Sequence, residues 1–384
     1  MGSHALLSPS AAHRWLNCTA APRIEERFPD SGSSYAEEGT LAHAYCARHL
    51  KAFLGLPTCN EDTEIGMLGQ YHTGEMDEYT ALYRDIVLEK LAEARGKTAD
   101  AVLLVEQRLD FTKWVPESFG TADAVIIADG TMEVIDFKYG KGVRVEAEGN
   151  PQMMIYALGA YEAFCFEYDI REVRMTIVQP RIDNFSTASV QVEHLIDWAG
   201  TTLAPKAREA YGGGRQKPGE WCRFCKAKAV CKSLANMAVT TAHQYSDPRM
   251  FSDKTLAENV LPMLDTIRTW LAGVEEYALE KALSGTKFNG YKLVAGRSIR
   301  RITDTEAAMR ALRAEFPDED VFMRPRELRT ITDLEKAIGK KRFNELCGNF
   351  ITKPEGKPKL VPESDKRPPL DLDTDPFKGI ELTE

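Results

Sequence analysis

The segment GTADAVIIADGTMEVIDFK, residues 120–138, holds Asp123, Asp136 and Lys138 where they can meet. Asp129-Gly130 lies between two β-rich runs, a strong short-range signal for a tight hairpin. With those two residues as the loop, Asp123 falls opposite Asp136, and directly opposed residues hold their Cβ atoms roughly 4.5–5.5 Å apart. Residues two apart on a strand share a face, so Lys138 joins Asp136, and Val125, Ile127, Met132 and Val134 line the rest of it. Two carboxylates so close repel, which raises one pKa, and burying either unpaired is costly. A divalent cation resolves both problems, and Mg2+ suits one or two carboxylates, waters and a substrate phosphate. Two other arrangements compete. One is a surface hairpin whose acids only pair with Lys138; the other is a one-residue bulge that breaks the opposition.

A second group carries thiol chemistry. WCRFCKAKAVC sets Cys222, Cys225 and Cys231 in a C-x2-C-x5-C pattern, and Cys18 stands far upstream in RWLNC. Closely spaced thiols in a chain with no export signal point to a metal, and four thiolates suit either zinc or an iron–sulfur cluster. Spacing leaves open both the metal and the place of Cys18 as fourth ligand. Cys46, Cys59, Cys165 and Cys347 have no such spacing and read as ordinary thiols. Smaller signals are His43, early in the helical run GTLAHAYCARHLKAFL, and the pair Gln152 and Tyr156, which share a helix face. Gly159 on the same side allows a neighbouring element to approach closely.

The elements that carry these residues alternate between helix and strand. Residues 5–60 read as helical with a break at PDSGSSYAEEG (29–39), and 76–95 as a second helix. Three strands follow within 101–138, then a helix at 151–167 opened by Asn150-Pro151, a cap and first-turn pair. A strand at 172–180 and a helix near 193–211 complete an α/β core with a mixed sheet. The 384 residues are 43% hydrophobic and 28% charged, which provides a sizeable core and excludes a disordered or fibrous chain. No apolar run reaches the length of a membrane-spanning helix. The opening MGSHALLSPSAAHRW lacks the apolar stretch of a secretory signal. Eight cysteines are too sparse for a disulfide scaffold, so a reducing cytoplasm and no membrane partner are expected. The net charge of −9 argues against a non-specific DNA coat protein, yet residues 206–232 hold eight Lys/Arg against two Glu, a surplus of six positive charges. The expected organisation is a helical region at 1–100, a core with the cysteine cluster at 101–235, an α/β extension at 236–350 and a tail at 351–384. From Leu360 the chain reads as extended and acidic rather than packed.

Taken in order, His43, then Gly120-Thr121-Ala122-Asp123, then Asp136-Phe137-Lys138, then Gln152-x3-Tyr156 resembles the PD-(D/E)XK nuclease superfamily. Within it the Gln-x3-Tyr motif is similar to the RecB-type exonuclease branch. Cys18 with the Cys222, Cys225 and Cys231 triplet resembles the iron–sulfur staple of the AddB and CRISPR-adaptation nucleases of that branch. ALLSPSAAHRWLNC and EEGTLAH look like a phage- or prophage-encoded family of this type. The motifs cover roughly residues 5–235, and Ala122 stands where a proline often precedes the first motif aspartate.

The resemblance implies a restriction-endonuclease-like core with a mixed central β-sheet flanked by helices, an iron–sulfur staple and a C-terminal α/β extension. It implies that His43, Asp123, Asp136 and the Phe137 carbonyl hold Mg2+ or Mn2+. Lys138 would orient or help deprotonate the attacking water and steady charge on the phosphate. Gln152 and Tyr156 would position the nucleic-acid strand and the catalytic groups, with Glu106 as a further acid. Cys18, Cys222, Cys225 and Cys231 would hold a 4Fe–4S cluster, with zinc as the alternative. The expected protein is a DNA exonuclease in a bacterial cytoplasm that generates single-stranded DNA for phage-type recombination or replication. A single-strand annealing or single-strand-binding protein would be its partner. The alternatives are a non-catalytic, cluster- or zinc-stabilised DNA-binding accessory protein and a structure-specific endonuclease.

Overall fold

Among the described residues of the computed structural model, five α-helices precede the first strand. They are α1 (Ala12–Asn17), α2 (Ala21–Glu25), α3 (Ser34–Phe53), α4 (Cys59–Leu68) and α5 (Gly74–Lys97). The structure describes residues 5–29, 34–245, 252–296, 298, 300–316, 322–324, 327–352 and 356–370. Helix α3 starts at Ser34, inside the expected break. An ion pair from Glu38 to Arg181 at 3.1 Å holds its first turns, a long-range contact that composition does not reveal. Residues 30–33 of that break lie outside the described residues.

The alternating run over 101–138 forms β1 (Val102–Asp110), β2 (Phe119–Ala128) and β3 (Gly130–Phe137). The β2–β3 ladder runs from Ala128↔Thr131 to Ala124↔Ile135, the register that the Asp129-Gly130 loop demands. Gly130 takes a φ of +82°, which glycine adopts without a Cβ clash. Helix α6 (Pro151–Phe164) then crosses to β4 (Ile170–Gln179), which lies parallel to β3. A parallel pair needs such a crossover. β5 (Asn184–Gln191) pairs antiparallel with β4 and completes a five-stranded mixed sheet in the order β1-β2-β3-β4-β5. β5 escapes sequence reading because NFSTASVQ is an edge strand with few apolar residues; its ladder to β4 defines it. Helices α7 (Val192–Trp198), α8 (Ala204–Tyr211) and α9 (Lys232–Gln244) follow.

Period-two alternation divides the sheet between two cores. Val125, Ile127, Met132 and Val134 meet Met153 and Ala157 of α6 on one face. Ala124, Ile126, Ile135 and Phe137 meet Leu41 of α3 and Tyr83 of α5 on the other. Each fully buried Val, Ile, Leu, Met or Phe side chain of this kind stabilises by about 1.5–3 kcal/mol. Asn150 caps α6, its side chain accepting from Gln152 N at 3.0 Å and Met153 N at 3.3 Å. Gly159 provides the expected close approach, since a Cβ there would stand 2.4 Å from Phe111 Cε1 and 3.1 Å from Leu109 Cβ. Gly159→Ala is therefore expected to cost about 1–3 kcal/mol by overpacking. Urea unfolding reads this directly, and an unchanged midpoint would show that α6 is not wedged on Phe111.

The chain divides into two units, Met1–Ala272 and Gly273–Glu384, so the described residues 236–245 and 252–272, expected with the extension, group with the core. The second unit has its own small core of Ala308, Leu312, Phe322, Leu334, Phe343 and Cys347. Within it, Tyr291–Gly296 pairs antiparallel with Gly356–Pro362, and Leu370 N donates to Leu293 O at 2.6 Å. Leu360 is thus the middle of a ladder rather than the start of an unpacked tail; the main-chain bonds to residues 291–293 hold it. Residues 371–384 of the expected tail lie outside the described residues. No helix of the described residues is long and apolar enough to cross a membrane.

Candidate active site

The site begins where the ladders lose regularity. β1 pairs Val105↔Ala124 and Gln107↔Ala122, and between them Glu106 takes a φ of 51°. That left-handed conformation costs a non-glycine residue roughly 1–2 kcal/mol and persists only where its surroundings impose it. Asp123 lies on β2 between the same partners. The β2–β3 pairing stops at Ala124↔Ile135, and Phe137 N donates to Asp123 Oδ2 at 2.7 Å. The other carboxylate oxygen, Oδ1, lies 3.2 Å from Nδ1 of His43 on α3. One donor atom from each of His43, Glu106 and Asp123 comes within 4.8 Å of the others. These three border an open cleft of about 440 Å³, together with Thr40, Glu61 and Glu64.

Proximity shifts all three groups. Burial pushes Glu106 up and the Asp123 charge pushes further, to about 8, against the opposing His43 and Lys51 charges. For His43 burial acts downward, but the charge and hydrogen bond of Asp123 outweigh it and raise the imidazole to about 9. Burial acts upward on Asp123, and His43 outweighs it, holding the carboxyl below its ordinary value.

Asp136, Lys138 and Gln152 form an adjoining network. Lys138 Nζ lies 3.0 Å from Asp136 Oδ2 and donates to Gln152 Oε1 at 3.0 Å. Gln152 Nε2 in turn donates to Asp136 Oδ1 at 3.0 Å. The cap at Asn150 fixes the first turn of α6 and so aims Gln152 at the end of β3. Asp136 is only 4% exposed, and its Oδ2 has no hydrogen-bond partner despite the nearby ammonium. Burial raises its pKa, with Lys138 opposing. Tyr156, one turn along α6, is buried beside Phe111; burial, then the charges of Asp136 and Asp123, push its phenol well above the usual range.

The expected residues therefore meet in two linked sets. His43 and Asp123 gather with Glu106, while Asp136 joins Lys138 and Gln152 and is not among the three atoms within 4.8 Å. Phe137 meets the first set through its N–H, which donates to Asp123 Oδ2, and through its ring, edge-on to His43 at 5.5 Å. Sequence reading missed the residues that hold these sets in place. Arg181 pairs with Glu38 of α3 and Glu75 of α5, each at 3.1 Å, and stacks on Tyr139, next in sequence to Lys138. Gln179, 2% exposed, donates to Gly140 O and Val143 O, each at 2.8 Å, and pins the loop between Lys138 and Gln152. The polar run QPRIDN directly after an apolar strand was the available signal.

The four spaced cysteines also converge. Cys18, Cys222, Cys225 and Cys231 line one small cavity with Trp221 and Leu234. Lys217 N and Gly219 N each stand 3.5 Å from a thiol sulfur, those of Cys18 and Cys222 respectively. Burial raises Cys222, and burial followed by the Glu25 charge pushes Cys225 up to about 12. Glu25 also accepts from Lys226 N at 2.8 Å and pairs with Arg14 at 2.9 Å, which ties the cysteine loop to α1 and α2.

Fold and site together define an α/β protein with a helix-flanked mixed sheet and, midway along β1 and β2, a His/Glu/Asp group suited to a cation. The chain belongs to the family described as "Protein of unknown function (DUF2800)", whose model matches residues 4–368. Among solved structures, one titled "Crystal structure of SSO0001" is 16% identical, with 56% of this chain and 95% of that chain covered and a TM-score of 0.21.

Proposed function

We propose that the chain is a metal-dependent DNA exonuclease of the PD-(D/E)XK superfamily, RecB-like branch, with an iron–sulfur cluster as a structural staple. The observation that carries this reading is the gathering of His43, Glu106 and Asp123 within 4.8 Å, beside a network that holds the Lys138 ammonium. One imidazole and two carboxylates suit Mn2+, and carboxylates with waters suit Mg2+. The buried Asp136 Oδ2 without a hydrogen bond is a further donor, so the residues fit such an ion.

When bound, a divalent cation supplies charge neutralisation at the phosphate and a more acidic water. His43, Glu106, Asp123 and Asp136 would hold it, with the Phe137 carbonyl as the ligand that the family resemblance adds. Lys138 presents its ammonium to the attacking water and the phosphate. Gln152 bonds both Asp136 and Lys138 and so sets their separation. Tyr156 packs behind them and steadies the strand-binding side of α6. At the thiols, Cys18, Cys222, Cys225 and Cys231 fit a 4Fe–4S cluster, or zinc, because they surround one cavity and backbone N–H groups face two of the sulfurs. Generating single-stranded DNA for phage-type recombination, beside an annealing or single-strand-binding partner in a bacterial cytoplasm, belongs to the same reading.

Anaerobically purified protein is expected to shorten end-labelled linear DNA with Mg2+ or Mn2+ and to spare closed circles. Inertness on linear single and double strands would overturn the proposal; cutting of circles would replace it with the endonuclease reading. Metal affinity should also depend on pH. In the metal-free protein His43 is raised to about 9 from 6.5 and Glu106 to about 8 from 4.5. The folded state then binds more protons than the unfolded chain, so metal-free stability falls as pH rises through this window. A cation needs both groups deprotonated, so its binding releases protons and tightens with pH, by up to about tenfold per unit for each proton released. Mn2+ titrations at two pH values across the window check this, and equal affinities would contradict it.

A further inference from the structure

We infer that the cysteine loop carries a stacking surface for the unpaired bases of a single-stranded nucleic acid, with Phe224 as its platform. The inference deepens the nuclease reading and rests on it for the reason a strand would come to this protein. Residues Glu220–Phe224 form a 3-10 turn. Trp221 and Cys222 line the cysteine cavity, which Phe224 does not. Cys222 is buried, whereas Phe224 is 65% exposed. One exposed aromatic is ordinary by itself, but cations accompany these rings. The Arg223 guanidinium lies 5.6 Å from the Phe224 ring centre, and Lys217 Nζ lies 5.4 Å from that of Trp221. His13 meets Trp221 edge-on at 6.4 Å.

The turn is also held from below. Arg14 donates to Phe224 O at 3.3 Å, and Glu25 accepts from Lys226 N at 2.8 Å. The platform is therefore preorganised. The nearby acids are Glu25, paired with Arg14 at 2.9 Å, Glu220, 3.7 Å from His13, and Glu209, paired with Arg215 at 3.0 Å. Residues 206–232 still carry six more positive than negative charges, in a chain of net charge −9. An exposed ring with one guanidinium beside it matches a strand that offers a base face and a phosphate together. A duplex hides its base faces, so the surface selects unpaired strands.

The test measures binding of fluorescein-labelled dT20 to full-length protein, purified with its cysteine-site metal, in buffer without added divalent cation, which keeps cleavage out of the readout. Phe224→Ala is expected to weaken binding about tenfold, the scale of one lost base–aromatic stack. Phe224→Trp should restore it. An abasic strand of the same length should bind wild type and Phe224→Ala equally, because it offers phosphates without bases. Arg223→Ala should weaken both strands. Melting temperature and metal content of Phe224→Ala should match wild type, which separates stacking from damage to the cysteine site. Equal loss on the abasic strand, or unchanged dT20 affinity, would overturn the inference. An rU20 arm distinguishes RNA from DNA as the preferred strand. The two readings fail separately: Phe224-dependent binding without cleavage leaves the surface standing, and cleavage indifferent to Phe224 leaves the nuclease standing.

Discussion

Asp123→Asn is expected to remove DNA cleavage and Mn2+ binding while lowering the metal-free melting temperature, because His43 loses its counter-charge. Asparagine keeps the shape of the side chain, and its amide oxygen can still accept from Phe137 N, which now donates to Oδ2 at 2.7 Å. Only the charge is lost. That charge raises Glu106 by repulsion and His43 by attraction, so both pKa values should move back toward their ordinary range. Stability should fall whether the acid is structural or catalytic, so cleavage and Mn2+ binding are the readouts that separate the two readings. Lys138→Met should reduce cleavage by about 10²–10³, as for other preorganised groups that meet developing charge, with Mn2+ binding retained. Calorimetric Mn2+ titration beside the cleavage assay separates the two roles. Wild-type rates in Asp123→Asn would end the nuclease reading and leave the accessory-protein alternative.

The second large effect is expected at the thiols. Cys225→Ser should lose bound metal and lower the melting temperature by about 10 °C or more, because the free energy of a structural metal site is folding free energy. Cys225 lines the cavity shared with Cys18, far away in sequence, so the loss would leave the Arg14 and Glu25 hydrogen bonds to tie the cysteine loop to α1 and α2. Cys59→Ser is the control, since Cys59 is exposed and lies outside that cavity. Iron with visible absorbance identifies a cluster, and zinc without colour identifies the alternative. An unchanged metal content and melting temperature in Cys225→Ser would dismiss the staple.

Local rules make part of this molecule legible in its residues alone. The Asp129-Gly130 loop dictates the β2–β3 register, since a two-residue connection leaves the period-two alternation one solution. Asn150-Pro151 marks the start of α6, and Gly159 marks where that helix must touch its neighbour. The spacing of Cys222, Cys225 and Cys231 names residues that do share a cavity. Each of these depends on a few neighbouring residues. Tertiary contacts decided the rest. Glu106 joined His43 and Asp123 because one residue of β1 turned left-handed, and no propensity of glutamate foretells that. Asp136 went to Lys138 and Gln152 because α6 docks its first turn at the end of β3. Arg181 found Glu38 and Glu75, and Cys18 found the distant cysteine loop, through chain closures that spacing does not encode. Periodicity and turn chemistry act over a few residues, whereas charge pairing and burial act through space after the helices and sheet have packed.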